Sequence, residues 1–275
     1  MNMQSTPDQH ILARTVRFSI NTDGSNAGSN TTAGKPSMTT LGRYYELTIA
    51  ITGHPDPQTG YLLGIQEIDA LVRNHLLPII ADQIKSNPTQ HPAALLPALW
   101  TKSESILAPT LHAVRWHLTP YHSIEMTDIN RNNPESTEIL LRQKYEFAAA
   151  HRLHAPTMTG EQNTAFFGKC NNPSGHGHNY TLEPTIRVAI DDLTPQLQVQ
   201  IEQAVNDTIL DPLDHKFLNI DCPPFDQTSD GQIPSVEHIT THCYHALAPA
   251  LQSLGCSLDS ITVWETDRTS ATYPA

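Results

Sequence analysis

Alternating apolar and polar residues mark several strands along the chain, with helix-spaced apolar stripes between them. Val16-Arg-Phe-Ser-Ile20 and Arg43-Tyr-Tyr-Glu-Leu-Thr-Ile-Ala-Ile51 show the two-residue period of a half-buried strand. Ile65 to Ile80 instead carries Ile68, Leu71, Val72, Leu76 and Ile79 at helical spacing, and Ser103 to Leu118 does the same with Ile106, Leu107, Leu111 and Val114. The second half repeats this order. Tyr145-Glu-Phe-Ala-Ala149 and His178-Asn-Tyr-Thr-Leu-Glu-Pro-Thr-Ile186 read as strands, with Pro184 predicting an edge or a bulge. Thr194-Pro195 reads as a cap and first helical residue, followed by Leu197, Ile201, Val205 and Ile209 on one face; Ser235 caps a second helix running to about Leu254. Short strands, Ser123–Asp128 and Ser260–Asp267, close the two halves.

Each half therefore reads strand, strand, helix, helix, strand, with room for one more strand, and the second strand of each half follows a glycine. This internal repeat predicts an α+β chain of two tandem units, residues 1–130 and 138–275. Asp128 to Thr137, rich in Asn, Pro and Ser, forms the junction. Asn21 to Thr40 has no periodicity and is expected to be a mobile loop, at the place the loop containing Cys170 takes in the second half.

Composition narrows the partners. A net charge of −12 argues against nucleic acid and anionic membrane surfaces. No apolar run approaches a membrane span and Met1 to His10 has no hydrophobic leader, so a cytoplasmic location is expected. Cys170, Cys222, Cys243 and Cys256 are too scattered for a disulfide scaffold and read as thiols.

Cys170 stands apart by its company. It lies six residues ahead of His176-Gly-His178, with His151 upstream on another predicted strand. Two histidines two apart on a strand leave the same face, and a third from a neighbouring strand completes the three-imidazole set that holds a catalytic zinc with one position open. Two readings of Cys170 fit: a fourth ligand closing a structural site, or a thiol beside Lys169 whose thiolate serves as base or nucleophile. Against the first, Cys-x5-His-x-His is not a usual structural-zinc spacing.

Asp214-His215, at the end of the first helix of the second half, reads either as a polar helix end or as a carboxylate that orients a proton-passing imidazole. Glu265 shares strand parity with Ile261 and Val263; it either escapes to solvent or meets a ligand's N–H pair by a bidentate contact. Glu161 and Glu237 are weaker candidates, one a solvated loop residue, the other beside the Ser235 cap. The first half keeps none of this chemistry. Leu41 and Arg43 stand opposite His176 and His178, and Met126 stands opposite Glu265.

Four motifs in order, Phe147-Ala-Ala-Ala-His151-Arg-Leu, Phe167-Gly-Lys-Cys170 through His176-Gly-His178-Asn-Tyr, Leu213-Asp214-His215-Lys-Phe-Leu-Asn219 and Trp264-Glu265-Thr-Asp, resemble the 6-pyruvoyl-tetrahydropterin synthase family and its sister, 6-carboxy-tetrahydropterin synthase. The resemblance spans about Lys144 to Tyr273. It implies tunnelling-fold units, each an antiparallel four-stranded sheet with two helices on one face, assembling into a barrel of several copies. It also implies Zn2+ held by His151, His176 and His178, with Cys170 as base, Asp214 and His215 as proton relay, and Glu265 as pterin anchor. The implied reaction is a lyase conversion of 7,8-dihydroneopterin triphosphate with loss of triphosphate, the pyruvoyl product being favoured by the Cys170 spacing; relatives with such motifs also serve queuosine precursor synthesis. A non-catalytic pterin- or purine-binding protein with a structural zinc and a cyclohydrolase on the same fold are the alternatives. Because relay and thiol meet across a subunit boundary in that family, a fused inert copy implies a homo-oligomer with fewer active sites than units.

Overall fold

Strands β1 (His10–Ile20) and β2 (Arg43–Gly53) pair antiparallel over their whole length, Phe18 opposite Tyr45, and both rings turn into the core. The computed structural model describes residues 9–26, 28–128, 138–226 and 231–275. Met1–Asp8, most of the segment read for a leader, and most of the predicted junction lie outside the described residues. Two units emerge, Met1–Leu141 with Ala189–Asp191, and Arg142–Val188 with Asp192–Ala275.

In the first unit β3 (Leu111–Thr119) and β4 (His122–Thr127) complete an antiparallel sheet in the order β1-β2-β3-β4. Alternation puts Phe18, Leu47, Ile49, Val114 and Trp116 on a buried face beneath the helices. The opposite face is polar: Arg17 pairs with Glu46 at 2.9 Å, and the Thr48 hydroxyl lies 3.2 Å from His117 Nε2.

The helix expected over Ser103 to Leu118 is corrected. The observed helix is Leu96–Leu107, and Leu111–Thr119 is a strand. Ala108 precedes Pro109 and takes extended backbone (φ −61°, ψ 144°), because the proline ring clashes with a helical residue before it. Beyond that stop, Ala113 to His117 lie in a pleat, which four apolar positions alone do not distinguish from a helix. The loop from Asn21 to Thr40 is also corrected, from free to tethered. The buried Asn21 side chain donates to the Ser25 and Ser37 carbonyls and accepts from the Thr39 N–H.

The second unit has the same plan: β6 (Tyr145–His151), β7 (His176–Ala189), β9 (Ser257–Thr266) and β10 (Thr269–Tyr273) pair antiparallel in that order, and β8 (Lys216–Phe217) runs parallel to β6. Strand β5 (Glu138–Gln143) precedes β6, from which Lys144 separates it. The pairing of β7 with β6 ends at Leu182; Pro184 faces Ile261 of β9, and that register shifts one step on, between Thr185 and Ile186, in keeping with the bulge. Helices Pro195–Val205 and Val236–Ser253 begin at Thr194 and Ser235, whose hydroxyls accept from the Leu197 and His238 N–H groups. The sheet of each unit is open within the chain, so the expected barrel is not formed by one unit.

The repeat extends to an irregularity. The helix starting at Ile65 in the first unit and the one starting at Pro195 in the second each run into a π-helical turn, Val72–Leu76 and Asn206–Leu210, and a proline follows two residues later, Pro78 and Pro212. Proline cannot donate to the carbonyl four residues back and its ring crowds that carbonyl; a wider turn relieves both. From there the copies diverge. The first continues helically to Ser86, whereas the second stops at Leu213 and releases Asp214 and His215.

Gly42 and Gly177 are equivalent in the repeat, yet a Cβ on Gly42 would lie 2.2 Å from the Ile20 carbonyl oxygen, against 3.6 Å from the Ala149 oxygen for Gly177. Gly42→Ala is expected to destabilise the protein by about 1–3 kcal/mol through this backbone overlap, and Gly177→Ala to cost less. Denaturant unfolding of the two variants side by side checks this, equal losses counting against it.

Candidate active site

Register on β6 and β7 assembles the candidate metal ligands. His151 pairs with His176 and Ala149 with His178, so the three imidazoles emerge at one end of two neighbouring strands and on one face. Their ring centroids are 4.5 Å (His151 to His176), 5.3 Å (His151 to His178) and 4.9 Å (His176 to His178) apart, all edge to face. One ligand atom from each lies within 4.8 Å of the others.

The tautomer of His151 is fixed by the chain. Its Nδ1–H donates to the Pro234 carbonyl at 2.7 Å, just before the Val236–Ser253 helix, which leaves an Nε2 lone pair facing the cluster. That Nε2 and the Nε2 of His176 are buried and have no hydrogen-bond partner among the described residues. Glu265 points a carboxylate oxygen at the same space, 3.5 Å from His151 Nε2 and 3.9 Å from His178 Nε2. Lone pairs and a carboxylate converging on one point repel one another unless a cation lies between them. The donor set thus fits a divalent ion bound by three neutral imidazoles.

Burial reinforces the neutral state. It pushes the His151 imidazole down to about 4, and the hydrogen bond to Pro234 only partly opposes this; His176 is lowered by burial and by the neighbouring His178. The Tyr180 hydroxyl, 3.3 Å from His151 Nδ1, is held protonated by burial and by the negative charges of Glu265 and Cys170.

Cys170 reaches the site from a turn that the sequence left as loop. Gly160–Phe167 is a helix with a capping box between Thr159 and Gln162, a Thr-x-x-Gln signal present in the sequence but passed over. Glu161 is thereby in a first helical turn rather than a loop. The helix ends at Gly168, which takes φ +54°, and the 3-10 turn Gly168–Asn171 follows. Cys170, Lys169, His176 and His178 line one cleft of ≈ 720 Å³.

Asp214 and His215 are not in that cleft. Asp214 accepts from the Ala148 N–H at 2.8 Å and from His215 Nδ1 at 2.7 Å, contacts that hold its carboxyl below the usual range. His215 adopts φ +57°, and its N–H donates to the Ala148 carbonyl at 2.6 Å. Its side chain is 82% exposed and lines a second hollow of ≈ 600 Å³ with Lys216, Phe217 and His178. Glu237 remains at its helix start, lowered by a hydrogen bond from Ser235. The sequence reading missed Pro234, Tyr180 and the buried asparagines Asn163, Asn171 and Asn219, which fix the site from behind.

The family model for 6-pyruvoyl tetrahydropterin synthase matches residues 140–275. The 6-pyruvoyl tetrahydrobiopterin synthase of Poecilia reticulata is 33% identical over 151 residues, 54% of this chain and 98% of that protein. The chain belongs to the 6-pyruvoyl tetrahydropterin synthase family. It is a lyase of that type. The human 6-pyruvoyl tetrahydrobiopterin synthase is likewise 33% identical, over 48% of this chain and 88% of its own length. A solved 6-pyruvoyl tetrahydropterin synthase from Caenorhabditis elegans shares 26% identity, covers 50% of this chain and 96% of its own, and superimposes with a TM-score of 0.44.

With the family settled, the first unit can be compared position by position. Phe18–Tyr45 corresponds to the pair Phe147–Tyr180. Counting from it, Thr22, Leu41 and Arg43 stand where the second unit has His151, His176 and His178. Leu118, not Met126, stands where it has Glu265, because Glu46 pairs with His117 as Thr181 pairs with Trp264. Met126 lies on β4, one strand further on, because Leu111–Thr119 forms the strand β3 that pairs with β2, not a helix. The Ser19 N–H, equivalent to that of Ala148, donates to the Pro36 carbonyl at 2.9 Å, so the first unit's own loop fills the place of Asp214.

His176→Ala is expected to lose most bound metal in elemental analysis, while substitutions at Leu41 or Arg43 leave the content unchanged; retention in the first would refute the ligand assignment. A second outcome concerns pH. A histidine with a lower pKa folded than unfolded adds stability that is complete above the unfolded value of 6.5 and is lost as pH falls toward about 4. Metal-free protein should therefore weaken on acidification across that window more steeply than metal-free His151→Leu, and parallel denaturation midpoints would count against it.

Proposed function

We propose that the chain converts 7,8-dihydroneopterin triphosphate to a 6-substituted tetrahydropterin with elimination of triphosphate, and that it uses zinc. The observation that carries this reading is the convergence of three imidazoles, two with orphaned buried Nε2 atoms, beside a cleft that also presents a thiol. The relatives, 6-pyruvoyl tetrahydrobiopterin synthases by name, favour the 6-pyruvoyl product, as does the Cys170 spacing.

Zn2+ bound by His151, His176 and His178 would supply a Lewis acid for the oxygens of the hydroxylated side chain. The remaining chemistry falls to the chain. Cys170, as thiolate, removes a proton from the side-chain carbon that becomes a carbonyl carbon. Glu265 receives the N–H pair of the pterin ring by a bidentate contact, which fixes the ring against the cleft. Asp214 holds the His215 imidazole by its Nδ1–H, so Nε2 is free to take and return a proton as the ring is protonated and triphosphate leaves.

His215 and Cys170 line different hollows, which supports a pairing of relay and thiol between copies in a barrel-forming homo-oligomer. Thr22, Leu41 and Arg43 offer the first unit no ligand set, Leu118 stands at the position of Glu265, and Pro36 takes the place of Asp214. We accordingly assign one active site to each chain.

Incubating zinc-loaded protein with dihydroneopterin triphosphate and analysing products by mass tests the reaction. Triphosphate release together with a 6-pyruvoyl product is expected; release of acetaldehyde would move the assignment to the carboxy-forming sister, and turnover of GTP alone would move it to a cyclohydrolase. Cys170→Ala should abolish turnover, a loss of roughly 10² or more, while keeping its zinc, and metal loss in that variant would make Cys170 a ligand instead.

A further inference from the structure

We propose that Asn219 is a positioning residue that sets the Cys170 turn against the metal ligand His151; this deepens the reading above and rests on it. Asn219 ends the motif that carries Asp214 and His215, and nothing in the proposed chemistry uses it. It is 8% exposed.

The geometry is that of a strand extended by a side chain. β8 pairs in parallel with β6 through Lys216 with Ala149 and Phe217 with Ala150. At Leu218 the backbone turns into the short helix Leu218–Asp221 and can follow β6 no further. The Asn219 amide continues the ladder in its place. Its Oδ1 accepts from the Arg152 N–H at 2.7 Å and its Nδ2 donates to the Arg152 carbonyl at 3.0 Å. A primary amide reproduces the donor and acceptor of a peptide group; a carboxylate would set a second acceptor against the Arg152 carbonyl in a buried place.

Arg152 directly follows His151, and what it holds next is the thiol turn. Arg152 Nε donates to the Asn171 carbonyl at 3.2 Å, and the Leu153 N–H donates to the Cys170 carbonyl at 2.9 Å. Asn171 Oδ1 lies 3.0 Å from His154 Nδ1, a third tie between the two segments. Asn219 thus fixes one two-residue segment, Arg152–Leu153, through which the ligand-bearing end of β6 and the turn bearing Cys170 share one frame. Proton transfer depends on a reacting distance near 3 Å, and a misplacement of about 1 Å costs roughly 10²-fold.

The test uses the full-length, zinc-loaded protein and the variants Asn219→Ala and Asn219→Asp, the latter nearly isosteric and a safeguard if the former does not fold. Both are expected to keep zinc, to lose roughly 10²-fold in kcat with KM nearly unchanged, to alkylate Cys170 faster with iodoacetamide and to exchange the Leu153 amide hydrogen faster. Alkylation and exchange do not depend on the substrate's identity, so they decide the inference even if dihydroneopterin triphosphate proves to be the wrong substrate. A lower melting temperature with wild-type kcat, or wild-type alkylation and exchange rates in Asn219→Asp, would overturn it.

Discussion

The antiparallel register between β6 and β7 is the constraint on which the site depends. A pleated pair sends alternate residues to the same side, so once Phe147 stacks on Tyr180, at 4.9 Å between ring centroids, His178 and the His151–His176 pair are placed without further choice. A slip of one residue would put His151 on the opposite face from His176 and His178. The buried aromatic pair therefore protects more than packing. It sets the geometry of a cluster whose lone pairs would otherwise repel.

That cluster shows how a fold can hold an arrangement that is unfavourable by itself. For His151 the inward lone pair, facing a carboxylate, is fixed because a backbone carbonyl takes the proton on its other ring nitrogen. Pro234 takes the His151 Nδ1–H, and the sheet fixes the rest. The same economy appears at Asp214, whose acceptors are used by the Ala148 N–H and by His215, so the His215 imidazole is oriented while remaining exposed. Strand edges here are used for chemistry as well as for pairing.

The first unit illustrates what remains when chemistry is removed from such a scaffold. Its strand order, the π-helical turn before a proline and the core aromatic pair persist, since these answer to packing and backbone hydrogen bonding. Thr22, Leu41, Arg43 and Leu118 replace the functional set, and Leu41 is 99% exposed. Lys35–Pro36 lie along β1 where the second unit has the segment bearing Asp214 and His215, so the difference is one of backbone as well as side chains.

The sequence by itself determined the tandem plan, the strands carrying the histidines, the caps at Thr194 and Ser235 and which three histidines to look at together, because period, capping and a His-x-His spacing are local properties of the chain. It left β3 hidden inside a helical reading, since four apolar residues between Ile106 and Val114 satisfy a helix while Pro109 breaks it, and the error carried through to the counterpart of Glu265. Only the tertiary structure decided that Glu265 faces the imidazoles, that His215 opens onto a different hollow from Cys170, and that Asn219 ties Arg152 into β6. These are contacts between segments far apart in the chain. No local pattern records them, because their energy depends on which strand lies beside which, and that is settled only when the sheet has formed.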